Sequence, residues 1–434
     1  MTRVPCESWP DRCSTLTGVP RNDRGMDRSD GKVAGAFGAV AACFGLAGVL
    51  TAVWGATLAA TDARLNLGPG RLGGALTALA VGTLIAMPLA GRLVDRWTAR
   101  RLLQFAIPAS AVALAGPAAA SSAGLLTVSA FVLGVQFGGL NVALTVQAVT
   151  VERALGRPVI ARMHGTWALG AVAGGTAVAA ALRLGLDVRG VQIAGGVALA
   201  VAGRAAASRL PMWMRAAPAD ADTRPDIAAT TTRAPRSTLV IMLGAVGAAA
   251  FITEGAATDW AGVHATRVLH ADPSVASLVY TVFFAAMTVV RFAGDVVRAR
   301  LGASTTLRLA GGAAAAGHGL VLASGALPAA MPTKVACATA GWALAGMGMA
   351  VVWPVVLSAL GAAGAVGPRL SAATTVSYSG GLVGPAAIGY VAARATLPVA
   401  LVIPTGLAML VFLGAPAAVS KIRNADTVVA GRGS

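Results

Sequence analysis

The sequence predicts an all-α membrane protein, with twelve transmembrane helices arranged as two bundles of six. Three observations lead there. The 434 residues are 56% hydrophobic and 12% charged, with a mean hydropathy of +0.73, whereas a soluble domain carries about 25% charged residues. Twelve apolar stretches each reach the roughly 20 residues that a helix needs to cross a bilayer. The 34 basic residues, set against 17 acidic ones, fall mostly on one side of those stretches. The runs are long and rich in Ala, Val, Leu and Gly, unlike the short alternating strands of a membrane barrel. Only helices and closed barrels satisfy the backbone in lipid, so the runs are helices.

The same composition excludes other classes. A net charge of +17 taken alone points to nucleic acid. In so apolar a chain it marks membrane topology, and no nucleic-acid partner is expected. Four cysteines are too few for a disulfide scaffold of this length. With no CxxC or HExxH, no metal site is expected. The P-loop pattern and the G-x-S-x-G elbow are both missing, so neither an ATP-driven pump, a hydrolase nor any cofactor is expected.

Along the chain, residues 1–32 form a polar tail in which Cys6 and Cys13 are read as a reduced pair. The first apolar run is longer than a signal-peptide core and is read as a retained helix. The spans fall near 34–60, 71–91, 102–121, 124–150, 164–184 and 189–209, then 238–260, 274–294, 303–324, 333–360, 371–392 and 396–419. Cys43 and Cys337 lie within spans as packing residues. The break at 210–237 holds Pro211, Pro218, Pro225 and Pro235 with Asp220, Asp222 and Asp226 among arginines, the composition of a flexible linker. It separates an N-terminal bundle (33–209) from a C-terminal one (238–419), and 420–434 form the last tail.

Twelve spans place both tails on one side. That side holds 27 of the 34 basic residues; the other has only Arg64, Arg71, Arg183, Arg189, Arg267, Lys334 and Arg394. The positive-inside rule then puts both termini and the linker in the cytoplasm.

The halves repeat one another. Span 2 is followed by GRLVDRWTARRLL (91–103) and span 8 by RFAGDVVRARLGA (291–303). Asp95 aligns with Asp295 and Arg100 with Arg300, both at an offset of 200, which also aligns Trp54-Gly55-Ala56 with Glu254-Gly255-Ala256. Internal repeats of this kind are a signature of transporters.

On these residues the chain resembles the major facilitator superfamily of transporters. Gly91, Leu93, Asp95, Arg96, Arg100 and Arg101 fit that family's loop signature after the second helix, with the last two arginines shifted by one place. Thr98 stands where the family has glycine, so the turn must form without one. Asp295, Arg298 and Arg300 are the weaker second copy. A narrower resemblance, to bacterial permeases distantly related to fucose-type sugar:proton symporters, rests on HGTWALG (164–170), EGAATDW (254–260) and YSGGLVGP (378–385). The resemblance implies a multi-pass protein of the bacterial inner membrane that alternates access to a central site. It also implies that the loop residues Gly91, Asp95, Arg96, Arg100, Arg101, Asp295, Arg298 and Arg300 hold the cytoplasmic side shut. The competing reading of those charges is topology alone. The fucose-type symporters use carboxylates in spans 1 and 4, and neither predicted span holds an internal acid here.

Glu254 is the one glutamate well inside a span, about 9 Å from the predicted outer end of span 7. An acid at that depth is a functional candidate. It is read either as a proton-coupling or substrate-binding carboxylate or as a snorkelling structural acid. Asp259 is read as structural, beside Trp260 as a belt tryptophan at the outer interface. His164 is a possible titrating group or a cap, and His318 a satisfied buried histidine. Gln136 and Asn141 in span 4, with Thr145 on the face of Asn141, offer hydrogen bonds to a substrate or between helices. Trp54, Trp167 and Tyr378 are further candidates, either as substrate platforms or as packing. Gly134/Gly138, Gly170/Gly174 and Gly380/Gly384 permit close helix approach and sliding.

The function these residues predict is secondary active transport of a small polar or amphipathic solute, with protons as the candidate coupling ion through Glu254. The alternatives are a drug or metabolite efflux antiporter and, in another class, a membrane ligand sensor. The antiporters' G-P-x-x-G motif is missing from span 5, which contains no proline, and neither tail is long enough for a sensor's output domain.

Overall fold

The computed structural model describes residues 23–156, 159–210, 237–362 and 368–430. The linker and most of the first tail lie outside these. Among the described residues the chain is all helical, and eleven stretches are long and apolar enough to cross a membrane. The remaining long helix, Pro368–Arg394, has 27 residues but carries Thr374, Thr375, Ser377, Ser379 and a cluster of glycines. It packs against helices of both halves.

The N-terminal half contains α1 (Asp23–Leu65), α2 (Gly68–Arg96), α3 (Ala99–Ala113), α4 (Ala115–Ala119), α5 (Ala123–Leu155), α6 (Ile160–Arg183) and α7 (Val188–Ser208). The C-terminal half contains α8 (Ser237–Arg267), α9 (Pro273–Ala326), α10 (Met331–Met349), α11 (Val352–Ala362), α12 (Pro368–Arg394), α13 (Leu397–Ala400) and α14 (Val402–Ala430). The 54 residues of α9 are two spans meeting at Gly302, whose φ of 75° and ψ of 162° only glycine adopts readily. The ends near 96, 155–160 and 302 define a tail side; those near 65–68, 183–188, 267–273 and 394–397 define a far side.

Side chains close the turns. The turn after α2 forms without glycine because Trp97 and Thr98 are extended and Thr98 Oγ1 accepts from the Arg101 N–H at 3.2 Å, capping α3. Ser122 caps α5, Asp187 caps α7 and Asp272 caps α9. The Ser274 hydroxyl and N–H hold the exposed Asp272 carboxyl below the usual carboxylate range. Glu152 accepts from the N–H groups of Val159 (2.8 Å) and Ile160 (3.1 Å), placing its charge at the start of α6. Arg64 is more than a topology charge: its guanidinium donates to Pro117 O (3.0 Å) and Ala120 O (2.8 Å), capping the C-terminus of α4.

The three predicted glycine pairs all meet neighbouring backbone. Gly134 and Gly138 of α5 lie on Leu79 and Thr83 of α2. Gly170 and Gly174 of α6 lie on Gly45 and Val49 of α1, and Gly380 and Gly384 of α12 on Ala248 and Ile252 of α8. Each pair joins helices of the same half. They therefore make each half a rigid body and do not form the surface along which the halves slide.

Gly170→Leu should place its side chain into the Gly45 carbonyl and destabilise the N-terminal half by about 1–3 kcal/mol, the usual overpacking cost. Gly319→Ala, where an added Cβ meets nothing within 4 Å, should leave stability unchanged or slightly raised. Thermal unfolding of the two purified variants in detergent checks the contrast.

Candidate functional site

The halves meet along α1/α8, α2/α12 and α6/α9. On the far side the meeting is tight. Gly73 of α2 lies against Gly389 of α12, Gly70 against Ala393, and Ala59 against Gly262. Ser277 Oγ donates to Ala56 O across the seam at 2.7 Å. Tyr280 of α9 fills the space left by Gly55 of α1 and Gly175 of α6.

An ion pair locks this end. Asp62 of α1, only 1% exposed, accepts from Arg267 Nε at 2.5 Å and Nη2 at 2.8 Å, and its Oδ1 also accepts from the Gly68 N–H at 3.2 Å. The sequence reading missed it. Predicted span 1 stopped at residue 60, and Arg267 was counted as a topology charge. Helix α1 runs on to Leu65, so span 1 does hold an internal acid, one committed to holding the halves together. No periodicity connects residues 205 apart. All described hydrogen bonds and ion pairs between the halves lie on the far side.

Glu254 is deeper than predicted. Helix α8 continues to Arg267, so Glu254 stands thirteen residues, about 20 Å, from its far end. Its Oε1 pairs with Arg291 Nη2 at 3.6 Å, and both side chains are about a fifth exposed. Arg291, counted among the tail-side basic residues in the sequence, lies near the end of the span Pro273–Gly294, as its predicted bounds allow. One turn from Glu254, Phe251 stacks on Tyr378 with ring centroids 4.8 Å apart and tilts on Trp353 at 5.3 Å. Tyr378 is 42% exposed. Phe251 lies one turn from Glu254 on α8, which brings the pair and the aromatic cluster to the same stretch of that helix.

From the N-terminal half, α6 comes nearest to this pair. Trp167 meets Phe284 edge-on at 5.6 Å. His164 is exposed, edge-on to Phe44 at 5.4 Å, while the adjacent Gly165 meets Phe292, the neighbour of Arg291. Asn141 and Thr145 are exposed, and Gln136 is half-buried. The amides of Asn141 and Gln136 have no partner among the described residues. Trp54 is 3% exposed and is a core residue, not a cavity wall.

Three readings need correction. Trp260 is fully buried and is no belt residue. Asp259 lies eight residues inside the end of α8, not at an interface. Its side chain is half-buried. It has no hydrogen bond or ion pair among the described residues. His318 is only half satisfied: Nδ1 meets Ala314 O at 2.9 Å while the buried Nε2 has no partner.

The loop residues are dispersed. Arg100 Nε donates to Leu210 O at 2.7 Å within its own half. Gly91 and Arg298 are half-buried, whereas Arg96, Arg101 and Arg300 are exposed. The side chains of Asp95 and Asp295 lie outside the described residues.

No family model matches the chain. An uncharacterized MFS-type transporter of Yersinia pestis is 30% identical over 82% of this chain and 88% of its own length. An uncharacterized transporter of Sinorhizobium fredii, y4wD, is 29% identical over 85% and 94%. The membrane protein MosC of Rhizobium meliloti is 27% identical over 80% and 81%. Among solved structures, a mutant of the nucleoside transporter NupG matches with a TM-score of 0.66 at 12% identity, covering 88% of this chain and 99% of that one. The unmutated NupG structure matches with a TM-score of 0.60 at 14% identity.

Arg267→Ala leaves the buried Asp62 carboxylate without its counter-charge and should open the far side. In a background lacking the native cysteines, an Ala59→Cys probe should react with a membrane-impermeant maleimide on the order of tenfold faster when Arg267→Ala is added, corresponding to about 1.4 kcal/mol of lost bias. Unchanged labelling would remove the pair's latching role.

Proposed function

The chain belongs to the major facilitator superfamily, and from that premise we propose that it carries a small, polar, ring-bearing solute across the bacterial inner membrane by alternating access. That it is a membrane transporter follows from its relatives. The observation that carries the reading is the Glu254–Arg291 pair beside the Phe251–Tyr378–Trp353 cluster, set mid-membrane between the halves. A planar or puckered ring packs on the exposed Tyr378 face. Its hydroxyl or amide groups exchange hydrogen bonds with Glu254 and Arg291, and with Asn141, Gln136 and His164 from the other half. Trp167 bounds the site where the halves touch. Nucleosides and sugars both fit this description, and the nucleoside transporter with the same fold favours testing nucleosides first.

The conformation has its far side closed by Asp62–Arg267. With the 27 basic residues of the tail side in the cytoplasm, the site opens inward here. In the opposite state Asp95, Arg96, Arg100 and Arg101 of one loop, hinged at Gly91, close on the helix ends that carry Asp295, Arg298 and Arg300. The exposed Arg300 and half-buried Arg298 are available for that closure. The gradient that drives the cycle is the proton gradient.

Uptake of radiolabelled nucleosides and sugars into proteoliposomes, with and without a pH gradient, tests the reading. Glu254→Gln strands Arg291 and should lower uptake at least tenfold, with Tyr378→Ala raising KM more than it lowers the maximal rate. Glu254→Gln with unchanged KM and maximal rate would remove this site from the pathway.

A further inference from the structure

Six acids in the chain have described side chains, and four of them are fully engaged. Asp62 holds Arg267 and the Gly68 N–H, and Glu152 holds two N–H groups of α6. Asp187 and Asp272 cap α7 and α9. Glu254 has Arg291. Asp259 alone has no partner among the described residues. It is five residues beyond Glu254, about 7.5 Å further along α8 toward the closed far side. An added Cβ on Gly255, one turn before it, meets nothing within 4 Å, so that flank of the helix borders open space. Tyr280 lies within electrostatic reach of both acids; it is 1% exposed and its hydroxyl has no partner.

We propose that Asp259, and not Glu254, binds the coupling proton, in a site on α8 between the Glu254–Arg291 pair and the closed far side, with the buried Tyr280 hydroxyl nearby. This rests on the proton-driven transport proposed above and adds the residue that binds the proton.

The argument is one of charge. A carboxylate inside the bilayer needs a counter-charge or a proton. Glu254 has its counter-charge, and protonating it would strand the Arg291 guanidinium. Asp259 has none, so its balance is met by an O–H bond formed with a proton from hydronium in the cavity water. The groups on the elements packed against α8 do not alter this. From α1 there is Asp62, already bound to Arg267. From α9 there are Tyr280 and Arg291, the latter held by Glu254. From α12 there are Tyr378, stacked on Phe251, and Tyr390, covered by Arg394. Helix α10 offers Lys334 at its far end, directed to Gly325 O; α11 carries no titratable group, and those of α14, Lys421, Arg423 and Asp426, stand at its tail-side end with side chains outside the described residues. On α8 itself His264 is buried against Trp342. Tyr280 also ties the site to the moving surface, because its ring sits in the socket made by Gly55 and Gly175 of the other half. Opening the far side empties that socket and turns the proton site toward the opposite compartment.

The proton itself is the probe. Infrared difference spectra of purified protein between neutral and alkaline pH should show the loss of a protonated carboxylic-acid band. That band should be missing from Asp259→Asn and present in Glu254→Gln. A wild-type protein with no such band, or a band abolished by Glu254→Gln and kept in Asp259→Asn, overturns the proposal. Should Asp259→Asn fail to fold, Asp259→Glu replaces it: the band must shift, and an unmoved band is equally fatal. In proteoliposomes, uptake by Asp259→Asn should no longer respond to a pH gradient; a retained response overturns the proposal. If the band belongs to Asp259 but no nucleoside or sugar moves, the solute class falls and the proton site stands.

Discussion

Lipid supplies no counter-charge, so a charge placed inside the membrane must be met by another helix of the same protein. That constraint organises this molecule. Asp62 is met by Arg267, Glu254 by Arg291 and Arg64 by the carbonyls that end α4. What each pairing does depends on whether it crosses the boundary between the halves. Glu254 and Arg291 sit on α8 and α9 of one half, and their pair persists as the halves move. Asp62 and Arg267 sit on opposite halves, so their pair must break whenever the far side opens. One is suited to a binding site and the other to a latch, although both are acid–arginine contacts.

The same division governs packing. Within each half, glycine and alanine bring backbones into contact, as where Gly170 meets Gly45 or Gly380 meets Ala248. Contacts of that closeness do not tolerate sliding, because each would drive a carbonyl into a neighbouring helix. Between the halves the far side also has glycine on glycine, Gly73 against Gly389, but adds contacts of another kind: a tyrosine in a glycine socket, a serine on a carbonyl, an ion pair. Each of these separates without rebuilding a core. Rigid halves and a separable seam are the mechanical requirements of alternating access, and here they arise from which residues are small and where the polar ones lie.

The helical spans were legible because lipid imposes a composition on any stretch it surrounds. The ends of the helices were not, because a helix continues past its apolar run when another helix covers it. Helix α8 runs to Arg267 and not to residue 260, and that extension alone moves Glu254 from the outer quarter to mid-membrane and Asp259 from an interface to the interior. Glu254, Tyr378 and Trp167 were visible in the sequence by type and depth. Their partners Arg291, Phe251 and Phe284 were not, since they belong to other helices or to the opposite face of a turn. Trp54 was misread for the complementary reason: an aromatic residue in a span reports neither burial nor exposure.

Charge neutrality also explains why an unpaired acid is useful in a carrier. With Glu254 matched by Arg291, the central site is neutral apart from Asp259. Reorienting the halves with Asp259 ionised would move an uncompensated charge past the membrane centre, where it is most costly. Reorienting with Asp259 protonated moves none. On the proton-site proposal, the protonation state of Asp259 biases which form of the carrier reorients, and that bias is what would tie solute movement to the proton gradient. Pairing Asp259 with a second arginine would remove that penalty and the coupling with it, which gives a physical reason for an acid without a partner in a chain that has arginine to spare.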